Sequence, residues 1–402
     1  MIYSYKAKTS TGEIKSGEMK AKNKVDLDQK VSKIGLLLLS SEEISDKKKK
    51  FEISKVLKRV SVVDKMLFAR HLGVMLRAGL PFSRATTVLA QQTSNAYFRD
   101  ILESVKNDIQ KGNQLADSLE RYPKVFNTLF VNMVRVGETS GNLEETLDIL
   151  YLQLKKEHEL ASRVRGAMTY PGVIVLAMVV IGSLMMTYVV PSLLKIFTET
   201  GAELPTSTKM IVFVSNIFEN YILYLFLGAV AAIVLFIKIL KTRRGKKTFD
   251  NIILKLPTIG KIASKVNMAR FSRTLSSMIA SGVSIVKALD IISETLGNTY
   301  YKESIKKASE DVQKGIPLSE VIGRYDKLYY PLMIHMIEVG EETGTIQETL
   351  KQVAEFYEDE IEQVTENLSS IIEPVLMLVI GGGVGFFAIS MLQPMYSVMG
   401  NI

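Results

Sequence analysis

The chain has 402 residues, 47% apolar and 23% charged, with a formal net charge of +8 and no cysteine. Its length allows two or three domains. The lack of cysteine excludes disulfides, thiolate catalysis and cysteine-ligated zinc or iron–sulfur centres. His71, His158 and His335 lie far apart and form no metal-ligand spacing.

The opening stretch, MIYSYKAKTSTGEIKSG, has no basic region followed by an apolar core, so no signal peptide is expected. It reads as a hairpin turning at Thr11-Gly12, then a short helix over 26–34 and a strand at LLLLSS, a ββαβ-like segment over 1–45. A basic linker containing Lys47 to Lys50 is expected over 46–63. Helical spacing of apolar residues then runs over 64–170, starting at FARHLGVMLRAGL. Three apolar stretches are each long enough to cross a bilayer: 171–194, 222–240 and 371–392. The segment between the first two, 195–221, reads as a short external loop. A basic linker, 241–266, opens with KTRRGKK, and a second helical region covers 267–370. Residues 393–402 form a short tail.

Basic residues flank the first span on its N-terminal side (Lys155, Lys156, Arg163, Arg165) and the second on its C-terminal side (Lys241, Arg243, Arg244, Lys246, Lys247). The positive-inside rule places both helical regions and the N-terminus in the cytoplasm and the C-terminus outside. A basic cluster beside an apolar run is a topology signal and a contact for membrane lipids. No aromatic stacking pattern accompanies it, so no nucleic acid is expected as a partner.

Residues 136–141 read VGETSG and residues 339–344 read VGEETG. The offset of 203 residues (344 − 141) also pairs Phe68 with Phe271, Arg70 with Arg273, Gly112 with Gly315, Tyr122 with Tyr325 and Pro171 with Pro374. The chain is a tandem duplication, each unit a helical bundle leading into a span. The expected fold is therefore mainly α: an integral membrane protein with two homologous cytoplasmic helical-bundle domains of about six helices each, three transmembrane helices and a small N-terminal α/β segment.

Within the repeated phrase, Gly137, Glu138, Gly141 and their counterparts Gly340, Glu341 and Gly344 read first as a tight helix–helix turn. Asn142 with Glu145, and Thr345 with Glu348, have capping-box spacing. Glu138 and Glu341 are candidates to satisfy free amides at the next helix start or to pair with a basic neighbour. A cation site and a partner contact stay open as other roles for these two residues. Pro171 and Pro374 mark span entrances. Glu373, beside Pro374, is either a functional acid at the membrane boundary or a side chain reaching the headgroup layer. Gly381 and Gly385 in GGGVG have the small-xxx-small spacing of close helix packing, or mark a flexible, kinked helix.

No GxxxxGK[ST], GxSxG or HExxH pattern occurs, and Gly245-Lys246-Lys247-Thr248 lacks the upstream glycine of a phosphate loop. No catalytic residue, metal or cofactor is expected. A transporter would place polar groups within its spans. A membrane-anchored signalling or scaffold protein is the alternative left open by composition.

The duplicated VGExxG turn, the Tyr170-Pro171 and Glu373-Pro374 entrances, the three spans and the closing LQPMYSVMGNI resemble the PilC/GspF family. The N-terminal pattern Tyr3, Tyr5, Ala7, Gly12, Gly17, Ala21 adds to it. These are inner-membrane platform proteins of type IV pilus and type II secretion machines. The resemblance covers essentially the whole chain. It implies a non-catalytic assembly protein, likened to a homo-oligomer at the base of a filament. Its implied partners are a hexameric secretion or pilus ATPase, pilins or pseudopilins, and other inner-membrane assembly proteins.

Overall fold

The computed structural model describes residues 2–9, 14–21, 24–33, 35–44, 59–199 and 205–399. The expected turn at Thr11-Gly12 and the basic run Lys47 to Lys50 lie outside them. Two units are separate, 1–59 and 60–402. In the first, β1 (Ile2–Thr9), β2 (Ile14–Lys20), α1 (Lys24–Lys33) and β3 (Leu36–Ile44) follow one another. The sheet is antiparallel in the order β2-β1-β3, with a register shift between Lys6 and Ala7. Leu27 and Val31, one turn apart on α1, are fully buried with Ala21, and Met19 and Leu36 pack on them.

The second unit opens with six helices: α2 (Val62–Arg77), α3 (Phe82–Gln92), α4 (Ala96–Gln110), α5 (Leu115–Glu120), α6 (Thr128–Ser140) and α7 (Leu143–Leu184). Ser61 starts α2 with a capping box: its hydroxyl accepts from Asp64 N at 3.0 Å, and the Asp64 carboxylate accepts from Ser61 N at 2.9 Å. A π-helical turn, Met185–Val189, links α7 to α8 (Val190–Glu199). Next come α9 (Thr206–Lys241) and α10 (Arg243–Lys255). The second set of six follows: α11 (Ile259–Ala280), α12 (Ile285–Thr295), α13 (Thr299–Val312), α14 (Leu318–Gly323), α15 (Pro331–Thr343) and α16 (Ile346–Met399). The duplication is thus seen as two sets of six helices.

The aromatic cores follow the duplication and then diverge. Phe68, Phe98, Phe126 and Phe130 form one cluster, with ring centroids 5.1 to 6.3 Å apart. In the second repeat Phe271 keeps its place, but Tyr301 and Tyr329 replace Phe98 and Phe126. Their hydroxyls need partners once buried. Tyr301 donates to the Leu328 carbonyl, and Tyr329 shares a 2.7 Å hydrogen bond with Ser304.

Three helical stretches are long and apolar enough to span a membrane. Three of the expected segments differ. Residues 195–221 are not mainly a loop: α8 runs through Glu199 and α9 begins at Thr206, bending at Tyr221 (φ −128°, ψ 21°) where the expected span starts. The 241–266 linker is likewise helical, taken up by α10 and the start of α11, and the tail continues α16 to Met399.

The first third of α9 ties the other two spans together. In the π-turn, Val190 N–H donates to the Met185 carbonyl. The donor for Met186 in that register is residue 191, a proline, which has none. The Ser215 hydroxyl on α9 donates to Met186 O instead, at 2.6 Å. Pro394 likewise leaves Ser390 O in α16 without its helical donor, and the Thr208 hydroxyl supplies one. Val190, Ile211 and Met391 are buried around these bonds.

The buried tyrosines set an alkaline limit. Burial raises the phenols of Tyr301 and Tyr329 and pushes Tyr357 up to about 12. The unfolded chain loses these protons near about pH 10, whereas the folded chain keeps them. Stability is therefore full below about pH 10 and falls as pH rises through the folded values. Phenolate absorbance should show these three of the 16 tyrosines titrating only as helix content is lost. Their titration with helix content intact would refute this.

Candidate functional site

The repeated phrase ends α6 and α15. Gly141 (φ 75°) and Gly344 (φ 70°) are their left-handed C-caps, a conformation that costs glycine little. The chain then reverses directly into the long helices α7 and α16. Gly137 and Gly340 serve that reversal. A Cβ on Gly137 would stand 2.4 Å from Thr146 Oγ1, and one on Gly340 2.2 Å from Thr349 Oγ1. The two helices of each turn pack closely because these positions have no side chain.

Glu138 and Glu341 reach backward, not forward. Glu138 accepts from the amides of Leu115 (2.7 Å) and Ala116 (3.1 Å), at the first turn of α5. Glu341 accepts from Leu318 N (2.6 Å), Ser319 N (3.0 Å) and the Ser319 hydroxyl (2.6 Å), at the first turn of α14. The expectation that they serve the next helix start is corrected: the free amides lie 22 and 23 residues upstream. Gln114 and Pro317 at those N-caps make no side-chain capping bond, so the carboxylates fill the vacancy. The expected capping boxes do not form as drawn. Asn142 makes no side-chain cap bond, and the Thr345 hydroxyl pairs with that of Thr343 at 2.7 Å. Both oxygens of each glutamate are occupied by donors, which leaves them unlike the converging free oxygens of a cation site.

The repeats join along α7, and sequence reasoning missed this joint. Gln153, buried in α7, donates to Thr274 Oγ1 at 2.9 Å and accepts from Ser277 Oγ at 3.0 Å, both on α11. One turn on, Lys156 meets Glu358 of α16 at 3.3 Å. Glu358 also takes a bidentate pair from Arg273 on α11, at 2.9 and 3.0 Å. Arg163 then meets Glu362 at 2.6 Å. Gln153, Lys156, Arg270, Arg273, Thr274 and Glu358 help line a cavity of about 70 Å³. Leu154, Leu160, Val353 and Ile361 are buried in an apolar core common to both repeats. The register that pairs Arg70 with Arg273 gave no sign of the joint, since Arg70 instead lies 4.8 Å over the Tyr151 ring. The one available clue is the density of carboxylates over residues 355–366, which include Glu358 and Glu362.

The remaining sequence candidates stand apart. Pro171 lies inside α7 and Pro374 inside α16, so each entrance is a continuous helix rather than a break. Glu373 is exposed beside Pro374. A Cβ on Gly381 or Gly385 would meet nothing within 4 Å, so no helix of this chain packs there among the described residues.

Replacing Glu341 with alanine should lower stability by about 3 kcal/mol, as two charge-assisted bonds to amides are lost. Glutamine should recover part of it. Gly340→Ala should cost about 1–3 kcal/mol through overpacking. Thermal melts of the detergent-solubilised chain read both; an unchanged melting point in either alanine variant would refute its assigned role.

Comparison with known proteins agrees with this architecture. The family model described as type II secretion system (T2SS), protein F, matches twice, at residues 68–191 and 271–394. Each match ends at the proline that leaves a span carbonyl without its donor. The chain is 34% identical to the type IV pilus assembly protein PilC of Thermus thermophilus, over 100% of this chain and 99% of that protein. It is 34% identical to PilC of Myxococcus xanthus, over 99% and 95%. It is 32% identical to the type II secretion system protein F of Aeromonas hydrophila, over 91% and 95%. With its duplicated bundles and membrane helices, this is an inner-membrane protein that belongs to the type II secretion system protein F (PilC/GspF) family.

Proposed function

We propose that the chain is the non-catalytic platform of a type IV pilus or type II secretion machine, coupling a cytoplasmic ATPase to insertion of pilins into a filament. The observation that carries this reading is the continuity of α7 and α16. Each begins at a VGExxG turn and runs into a span without a break. At about 1.5 Å per residue, α7 is about 63 Å long and α16 about 81 Å. The ion pairs between them make one double lever, so displacement of either bundle is delivered to two spans together. The basic flanks orient the bundles toward the cytoplasm. No nucleotide-binding motif supplies energy within the chain, so the work comes from a partner. A homo-oligomer at the filament base is part of the proposal.

A flexible Gly-Ser insertion after Arg165 should leave the protein folded and membrane-inserted yet abolish filament assembly. Normal piliation or secretion would sink the lever. Arg163→Glu should reduce assembly, and adding Glu362→Arg should restore it in part; no rescue would remove this pair from the lever. Pull-down from native membranes in mild detergent should recover a secretion-type ATPase and pilin-like proteins. Recovery of unrelated receptor partners alone would favour the signalling scaffold.

A further inference from the structure

Helix α10 follows the second span directly, which places it at the membrane boundary. Thr242 separates it from α9 and caps it, accepting from Gly245 N at 3.1 Å. A Cβ on Gly245 would stand 2.2 Å from the Ile239 carbonyl oxygen, so the two helix ends are held together. Phe249 meets the span residue Phe236 edge-on at 5.7 Å. Its other face is docked on α13. The buried Asp250 carboxylate accepts from Thr299 N (2.8 Å) and Thr299 Oγ1 (2.7 Å), and Lys247 pairs with Glu303 at 2.7 Å.

Two features of the docked helix go beyond these contacts. Phe249, Ile252 and Leu256 form one stripe at i, i+3 and i+7 spacing. Ile252 is 54% exposed and Leu256 41% exposed. Beside the stripe, α10, α13 and the end of α12 enclose an open cleft of about 660 Å³, lined by Arg243, Lys246, Lys302, Lys306 and Lys307. Three carboxylates, Glu294, Glu303 and Glu310, share the lining, which leaves it net cationic. Lys306 is matched by Asp290 at 2.5 Å and Lys307 by Glu310 at 3.3 Å. Arg243, Lys246 and Lys302 have no carboxylate within ion-pair distance among the described residues. The first repeat has the same helix with Glu103 and Ser104 at the positions of Lys306 and Lys307. Cations at 306 and 307 are therefore not a demand of the shared fold, whereas position 302 is cationic in both repeats, as Lys302 and Arg99.

We propose that α10 lies in the bilayer interface and that its cleft binds the phosphate headgroup of an anionic phospholipid, with the stripe against the acyl chains. An amphipathic helix with apolar residues on one side and cations beside them is suited to that boundary. Its attachment to a span supplies the lipid at high local concentration. Bound lipid would fix the angle between the second span and the second repeat, because α10 holds both. The binding site does not depend on the coupling function, and its test does not read filament assembly.

The chain has no tryptophan, so Ile252→Trp introduces a single one, which can be excited apart from the tyrosines. The Ile252→Trp chain is reconstituted in vesicles containing phosphatidylcholine and phosphatidylglycerol, with bromine on the acyl chains of one lipid at a time. At equal mole fraction, brominated phosphatidylglycerol should quench more strongly. Adding Lys246→Gln and Lys302→Gln should reduce that preference about fivefold per charge, with helix content unchanged. Equal quenching by the two lipids, quenching by neither, or a preference that survives the double substitution would overturn the proposal. Inorganic phosphate distinguishes the source of the anion: tens of millimolar should leave the preference in place, whereas its abolition would make this a free-anion site instead. Native mass spectrometry provides a readout without the tryptophan. The unsubstituted chain should retain phosphatidylglycerol through detergent exchange and the Lys246→Gln/Lys302→Gln chain should not; equal retention would overturn the proposal.

Discussion

The close contact of two helices at each VGExxG turn is the constraint on which the architecture rests. Gly137 against Thr146, and Gly340 against Thr349, leave no room for a side chain. That contact sets the direction in which α7 and α16 leave their bundles. Because each helix continues into a span, it also sets how the bundle stands on the membrane. The glutamate of the phrase adds a second tie. By accepting from the first amides of α5 or α14, it fastens the turn to a short helix that has no side-chain cap of its own. A glycine, a carboxylate and a left-handed glycine thus do three different jobs within six residues.

Duplication made two bundles with the same frame, and divergence made them unequal partners. The frame residues recur: the turn glycines, the capping glutamates, and the pairs Arg121–Asp108 (2.8 Å) and Arg324–Asp311 (3.2 Å). Besides the core aromatics, what differs includes residues where the repeats meet each other. Gln153, Lys156 and Arg163 on α7 find partners on α11 and α16, whose own contacts differ from those of the first repeat. Only the Gln153 contact is buried; Lys156 and Arg163 are about two-fifths exposed, where an ion pair contributes little net stability, but together these contacts penalise any other register between the helices. The proposed lever depends on that register.

The membrane half shows the same economy with backbone groups. A proline at the end of each of two spans removes the helical donor to a carbonyl. The hydroxyls of Ser215 and Thr208 on α9 replace them. The segment between the first two spans is therefore not a passive connection. It is a helix that satisfies the carbonyls of its neighbours and buries Ile211 among their side chains. At the opposite end, α10 holds the second span to the second bundle. The spans are thus secured where they leave the apolar layer and stay largely uncovered between.

By itself the sequence determined the helical class, the three spans, the duplication and the family. These properties are written in local spacing: apolar runs of bilayer length, helical periodicity, and one offset maintained across the chain. It also singled out the VGExxG residues, since a glycine beside a carboxylate is a turn and cap signal wherever it falls. The tertiary structure alone decided what Glu138 and Glu341 hold, because amides 22 and 23 residues upstream are brought near only by the bundle. It alone decided that 195–221 is mostly helix, where a hydropathy reading sees only the end of an apolar run. It alone placed Gln153 against Thr274 and Arg163 against Glu362, 121 and 199 residues apart. A single sequence shows what each residue prefers locally; which distant surfaces meet follows from the packing of whole helices, where charge and shape at one end are matched only after the other end has folded.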